Sequence, residues 1–149
     1  MEGSFAVVLL AFNTLFALPN QDAQIACFRN AARHLAEEGV FLISGFVPDP
    51  ARFDRGQRVH ARAITTDEVR LDVAEHDPTI QTTRAALVRL RETGVRILPV
   101  MLRYAWPSEL DLMGRLAGLR LVARWGGWRR QPFSNSSTSH VSVYTSTVH

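Results

Sequence analysis

A chain of 149 residues with 46% hydrophobic content and a mean hydropathy of −0.03 reads as one soluble globular domain with a real core. All 17 basic residues are arginine, scattered among 14 acidic ones for a net charge of +3, so there is no basic stripe and a nucleic-acid partner is not expected. A single cysteine, Cys27, excludes a disulfide framework and a thiolate metal cluster, and its place on an apolar helical face makes it a small core residue.

The first predicted element is Phe5–Phe12, an unbroken apolar run with two adjacent valines, as expected of a strand covered on both faces in a parallel sheet. Only Met1–Ser4 precede it. The run on to Leu18 has the length of a signal peptide but lacks a basic leader and a small-residue cleavage site, and it contains Asn13. It is also too short to span a bilayer, so a cytoplasmic, non-membrane protein is expected. Pro19 and Asn20 start a helix over Asn20–Glu38, whose stripe is Ile25, Phe28, Ala32 and Leu35, with Gly39 as its C-terminal cap. Val40–Phe46 is a second apolar strand. Strand, amphipathic helix and strand make a βαβ unit with a right-handed crossover.

Past Val47-Pro-Asp-Pro50 the period changes to two. Val59, Ala61 and Ala63 alternate with polar residues, and so do Val69, Leu71 and Val73, with a turn at Thr65–Asp67. Asp77-Pro78 marks another turn, and Ile80–Arg91 and Val95–Tyr104 continue the pattern through Thr93-Gly94. These features predict a three- or four-stranded antiparallel insert over 51–104 within a single domain of 1–149. Thr79–Arg91 also suits a short helix. Pro107 opens a second helix with Leu110, Met113 and Ala117 as its stripe, and Gly118 ends it. Leu119–Arg124 and His140–Thr145 are the last strands, joined by a Gly-, Ser- and Asn-rich loop.

The opening Phe5-Ala-Val-Val-Leu-Leu-Ala-Phe12 with Asn13-Thr-Leu-Phe16, then Gly39-Val-Phe-Leu-Ile-Ser-Gly-Phe-Val-Pro-Asp49, Leu102-Arg-Tyr104, Glu109–Met113, Ala117–Leu121 and His140–Tyr144, resemble the C-terminal half of a class I S-adenosylmethionine (SAM) dependent methyltransferase of the small-molecule type. The resemblance covers nearly the whole chain. It implies an α/β fold: a partial Rossmann-like methyltransferase sheet made of the βαβ unit and a C-terminal antiparallel strand pair, with the antiparallel β insert added. Its strand order would be first, second, last, penultimate, leaving Phe5–Phe12 as an uncovered edge. In that family a glycine-rich cofactor loop lies on strands ahead of this part, and no position here matches it; Gly126-Gly127 lacks the following helix and spacing.

Ligands of open α/β sheets lie outside the carboxyl ends of the strands. The resemblance therefore implies that Phe12, Asn13, Thr14 and Leu15 border SAM, with Asn13 a catalytic candidate that orients the nucleophile; the bland reading of Asn13 and Thr14 is a strand-ending turn. In the insert, implied to be the wall over a small-molecule acceptor, Arg103, Tyr104 and Trp106 are substrate-binding candidates. His76 is a general-base candidate because a histidine titrates near working pH. The favoured alternative for His76-Asp77-Pro78 is a turn in which Asp77 bonds its own backbone, and for Arg103 a solvated strand end or a pair with Glu109. His140 is expected to make a structural hydrogen bond, and His34 and His149 complete no metal constellation.

The resemblance implies SAM as the cofactor of the intact fold and weak or no binding by this chain alone. The expected activity is methyl transfer to an O or N acceptor. The alternative is a non-catalytic remnant serving as a binding or dimerisation module. An uncovered apolar edge seeks a partner, either a second copy or a separate N-terminal half pairing through residues 5–12.

Overall fold

The computed structural model describes residues 3–147, so His149 lies outside the described residues. The chain divides into two compact units, one formed by residues up to Pro48 together with those from Ala105, the other by Asp49–Tyr104.

The first unit is an α/β layer. Strands β1 (Phe5–Leu10) and β2 (Leu35–Phe46) pair in parallel through helix α1 (Gln21–Arg33), while β7 (Leu119–Trp125) and β8 (Ser139–Ser146) run antiparallel. Helix α2 (Pro107–Leu116) precedes β7, and the sheet order is β1-β2-β8-β7, the order implied by the resemblance. One sheet face packs on the helices. Phe28 of α1 meets the Phe41 and Tyr144 rings edge-on at 5.2 and 5.6 Å, and a Cβ on Gly114 of α2 would lie 3.2 Å from the Tyr144 ring, so the glycine lets that helix settle on the sheet.

Four local expectations are corrected here. Helix α1 stops at Arg33, not Glu38, because Leu35 pairs with Phe5 and the Phe5 amide donates to the His34 carbonyl at 2.7 Å. Gly39 is therefore no cap. It lies inside β2 where the register slips, and a Cβ there would come within 2.8 Å of the Phe5 carbonyl oxygen. The buried stripe of α1 is Gln24, Phe28 and Ala31, with Ile25, Cys27 and Ala32 half-buried. Gln24 can be interior because its Nε2 donates to the Leu15 carbonyl. Finally, β1 is not covered on both faces: it ends at Leu10 and is an edge strand, with Val7 57% and Leu9 54% exposed.

The second unit is a four-stranded antiparallel meander of β3 (Gln57–Ile64), β4 (Glu68–Asp77), β5 (Thr82–Arg91) and β6 (Gly94–Arg103). The ambiguous stretch before Arg91 is strand. The hairpin at Thr65–Asp67 is closed by the Thr65 hydroxyl, which accepts from the Glu68 amide. A bulge between Ala61 and Ala63 puts Ala63 opposite Arg70 rather than on the side of Val59 and Ala61. Across the strands the register stacks Ile64, Val69, Leu90 and Val95 in one row and Ala61, Leu71, Val88 and Ile97 in the next. A third row holds Val59, Val73, Ala86 and Pro99. Among the described residues no helix is long and apolar enough to cross a membrane.

Candidate functional site

At the carboxyl end of β1 the chain makes a strained turn. Phe12 and Asn13 both have positive φ, 56° and 62°, a conformation asparagine tolerates and a bulky aromatic residue rarely adopts. The end of β2 holds it there. The Phe12 amide donates to Ser44 Oγ at 3.1 Å, the Asn13 amide to the Ser44 carbonyl at 3.1 Å, and Asn13 Oδ1 accepts from the Phe46 amide at 2.8 Å. Gly45 sits beneath, where a Cβ would lie 3.2 Å from the Phe16 ring. Leu15 and Phe16 are buried and anchor the short 3-10 turn that follows, Thr14 is exposed, and the Phe12 ring is 86% exposed. Backbone strain that its surroundings over-determine, with an aromatic ring held in solvent at a strand's carboxyl end, is a recurrent property of ligand-contacting turns. The Asn13 oxygen thus helps hold the turn through Phe46, and the same side chain carries an amide nitrogen that is a donor.

The same unit contains a buried polar network that sequence reasoning missed. Asp111 of α2 accepts from Arg124 Nη2 at 2.6 Å and from the Tyr144 hydroxyl at 2.9 Å, and Arg124 Nε donates to Ser142 Oγ at 2.8 Å. Ser142 Oγ is in turn 2.9 Å from His140 Nδ1. His140 thus makes the structural bond expected of it, while its Nε2 is buried with no hydrogen-bond partner. Burial, reinforced by the Arg124 charge and opposed by Asp111, lowers the His140 pKa to about 4. Burial, with the Asp111 charge adding to it, raises that of Tyr144. The sequence signal for this network is faint: Asp111 is one of several polar residues in a helix that also carries Ser108, Glu109 and Arg115.

In the second unit the structure brings together His76 and Tyr104. His76 Nε2 lies 2.8 Å from the Tyr104 hydroxyl, and the imidazole stacks on Phe53 at 4.7 Å. Both residues are buried, and Tyr104 is further fixed by a backbone pair with Gln81, whose Nε2 also donates to the Tyr104 carbonyl. The turn reading holds for Asp77, which accepts from the Thr79 hydroxyl and, at 2.9 Å, the Thr79 amide; these bonds, the hydroxyl's first, hold its carboxyl below the usual range. It does not describe His76, which points away from that turn into the pair with Tyr104. Arg103 is buried rather than a solvated strand end. Trp106 belongs to the first unit, is 38% exposed, and starts α2 with its amide donating to Glu109 Oε2 at 3.3 Å. Among the described residues no group of three or more His, Cys, Asp or Glu side chains is placed to hold a metal.

No protein-family model matches the sequence. The chain is 41% identical to the CcbJ methyltransferase from Streptomyces caelestis, matching its structure with a TM-score of 0.92 over 97% of this chain and 62% of that one. It is 28% identical to the cypemycin N-terminal methyltransferase of a Streptomyces species, over 95% of this chain and 58% of the relative. A SAM-bound amino pentose methyltransferase from Micromonospora echinaspora shares the fold at a TM-score of 0.66 and 20% identity, over 97% of this chain and 60% of that one. The chain thus spans about three-fifths of the length of the proteins it matches. Its sheet is the Rossmann-like sheet of the SAM-dependent methyltransferases, SAM is the cofactor of the intact fold, and the chain resembles part of such an enzyme.

Proposed function

We propose that this chain is the acceptor-bearing part of a SAM-dependent methyltransferase that acts in the cytoplasm on the O or N atom of a small molecule. The observation that carries the reading is the match to the Streptomyces caelestis methyltransferase, 41% identity at a TM-score of 0.92 over nearly the whole chain. In methyl transfer the acceptor's lone pair forms the new bond to carbon as the carbon–sulfur bond breaks, and the acceptor gives up a proton. Little covalent chemistry falls to the protein, so orientation and proton removal are what its residues supply.

In this reading Phe12, Asn13, Thr14 and Leu15 border the methyl end of SAM, and the Asn13 amide nitrogen orients the acceptor. Arg103, Tyr104 and Trp106 contact the acceptor, Arg103 suiting an acidic group. His76 is the general-base candidate, although its bond to Tyr104 favours a structural part. The edge of β1 takes a further strand, from a separate N-terminal half bearing a glycine-rich loop or from a second copy. The strand's charge-free row of exposed apolar side chains supports that role.

Calorimetric titration of the chain with SAM and S-adenosylhomocysteine tests the division of labour. The turn contributes one side of a cofactor site, so binding weaker than about 1 μM, equivalent to roughly 8 kcal/mol, is expected. Tighter binding would mean that the chain carries a whole cofactor site.

A further inference from the structure

On the face of the meander opposite its apolar rows, arginines stand in register on three neighbouring strands. Arg70 of β4 pairs with Arg89 of β5, and Arg89 with Arg96 of β6, so the three share one face and neighbouring side chains start about 4.8 Å apart. Beside them the next row aligns Glu68, Arg91 and Gly94. Glu68 is buried and accepts from Arg70 Nε and, at 2.5 Å, from Arg91 Nε. The next acidic side chain on this face, Asp72, is held by Arg62 at 3.1 Å. Glu68 thus stands alone against the guanidiniums of Arg70, Arg89, Arg91 and Arg96, and among the described residues no carboxylate pairs with Arg89 or Arg96.

Like charges directly opposite one another destabilise a sheet, and a buried donor left unpaired adds a desolvation cost. Arg89 combines the two: it lies between Arg70 and Arg96, and its Nε is buried with no hydrogen-bond partner. A multivalent anion relieves both at once. We propose that the Arg70–Arg89–Arg96 row binds a phosphoryl group. A guanidinium fork matches a pair of phosphate oxygens, and a tetrahedral oxyanion seated over Arg89 has oxygens left for the arginine on either side. A planar carboxylate is taken up by a single fork. The surroundings leave room: Gly94 puts no side chain beside Arg91, and a Cβ there would meet nothing within 4 Å. On the other side of the row Leu87 and Leu98 lie opposite one another, Leu98 39% exposed, offering apolar ground to the organic part of a phosphate ester. The row is six residues, about 20 Å, along β4 from His76, so this inference stands or falls separately from the methyl-transfer reading.

Titrating the isotopically labelled chain with inorganic phosphate, at ionic strength held constant with sodium chloride, tests this through the arginine Nε–H signals in NMR. The Arg89 signal should move and saturate, and those of Arg70 and Arg96 should follow the same isotherm. Arg89→Gln should raise the phosphate Kd, followed at Arg70 and Arg96, by about tenfold or more, equivalent to about 1.4 kcal/mol. Arg129→Gln, at an exposed position of the first unit, should leave that Kd unchanged. Melting separates binding from folding. Without phosphate Arg89→Gln should melt no lower than the parent, because it removes a like charge, whereas saturating phosphate should lift the parent above the variant. Phenyl phosphate identifies the source of the group: binding tighter than that of inorganic phosphate, by an advantage that Leu98→Ser removes, marks an organic ester, and equal binding marks the free ion. An Arg89 signal that phosphate moves no further than sodium chloride does, or an Arg89→Gln chain that binds phosphate as the parent does, would overturn the proposal.

Discussion

Lowering the pH should destabilise the first unit through His140 before its carboxylates are protonated. The imidazole is 1% exposed, shares Ser142 Oγ with Arg124, and has a folded-state pKa of about 4. An unfolded histidine takes up its proton near 6.5, so the unfolded state binds protons first and stability falls as pH falls from 6.5 to 4. At 1.36 kcal/mol per pH unit that difference amounts to roughly 3 kcal/mol in all, of which about 2 kcal/mol is gone at pH 5. Urea unfolding at pH 7 and pH 5, followed by tryptophan fluorescence, compares the chain with His140→Gln, which keeps a polar group but does not titrate. The parent should lose about 2 kcal/mol more than the variant between the two pH values. Equal losses, or an NMR titration of His140 centred near 6.5, would refute the assignment.

In a form of the protein that turns over, Asn13→Ala should lower methyl transfer by more than its effect on melting explains, as paired activity and thermal-unfolding assays would show; normal turnover would remove Asn13 from the catalytic role. His76→Ala should cost about 2 kcal/mol or more, because it removes both the stack on Phe53 and the bond to the Tyr104 hydroxyl. A His76 variant of normal stability but without activity would instead establish the general base. Gly39→Ala should cost about 1–3 kcal/mol in chemical unfolding, since the new methyl meets the Phe5 carbonyl and the backbone of Ala36, neither of which can swing away.

The βαβ unit and the meander were legible because period and turn chemistry are local signals. The end of α1 was not, since Leu35 falls at helical spacing and only its pairing with Phe5, 30 residues earlier, decides that it is strand. Gly39 illustrates the same limit: a glycine after an amphipathic run signals a cap, but here it serves the close approach of two backbones. Alternation identified the apolar face of the meander, whereas the bulge that removes Ala63 from it is a property of the β3–β4 ladder. Strand-end position singled out the Phe12–Leu15 turn, whereas the positive φ of Phe12 and Asn13 and the bonds to Ser44 and Phe46 that hold it come from the paired end of β2. Nothing in the sequence joins His76 to Tyr104 or Asp111 to Arg124 and Tyr144, because those bonds cross between elements.

If the Phe12–Leu15 turn borders SAM, its amides must respond to the cofactor. Recording amide NMR spectra of the isotopically labelled chain during titration with SAM tests it residue by residue. Weak, saturable shifts are expected, centred on the Phe12, Asn13, Thr14 and Leu15 amides and on Ser44 and Phe46, which hold the turn in place. Shifts confined to other parts of the chain, with these amides unmoved at saturating SAM, would contradict it.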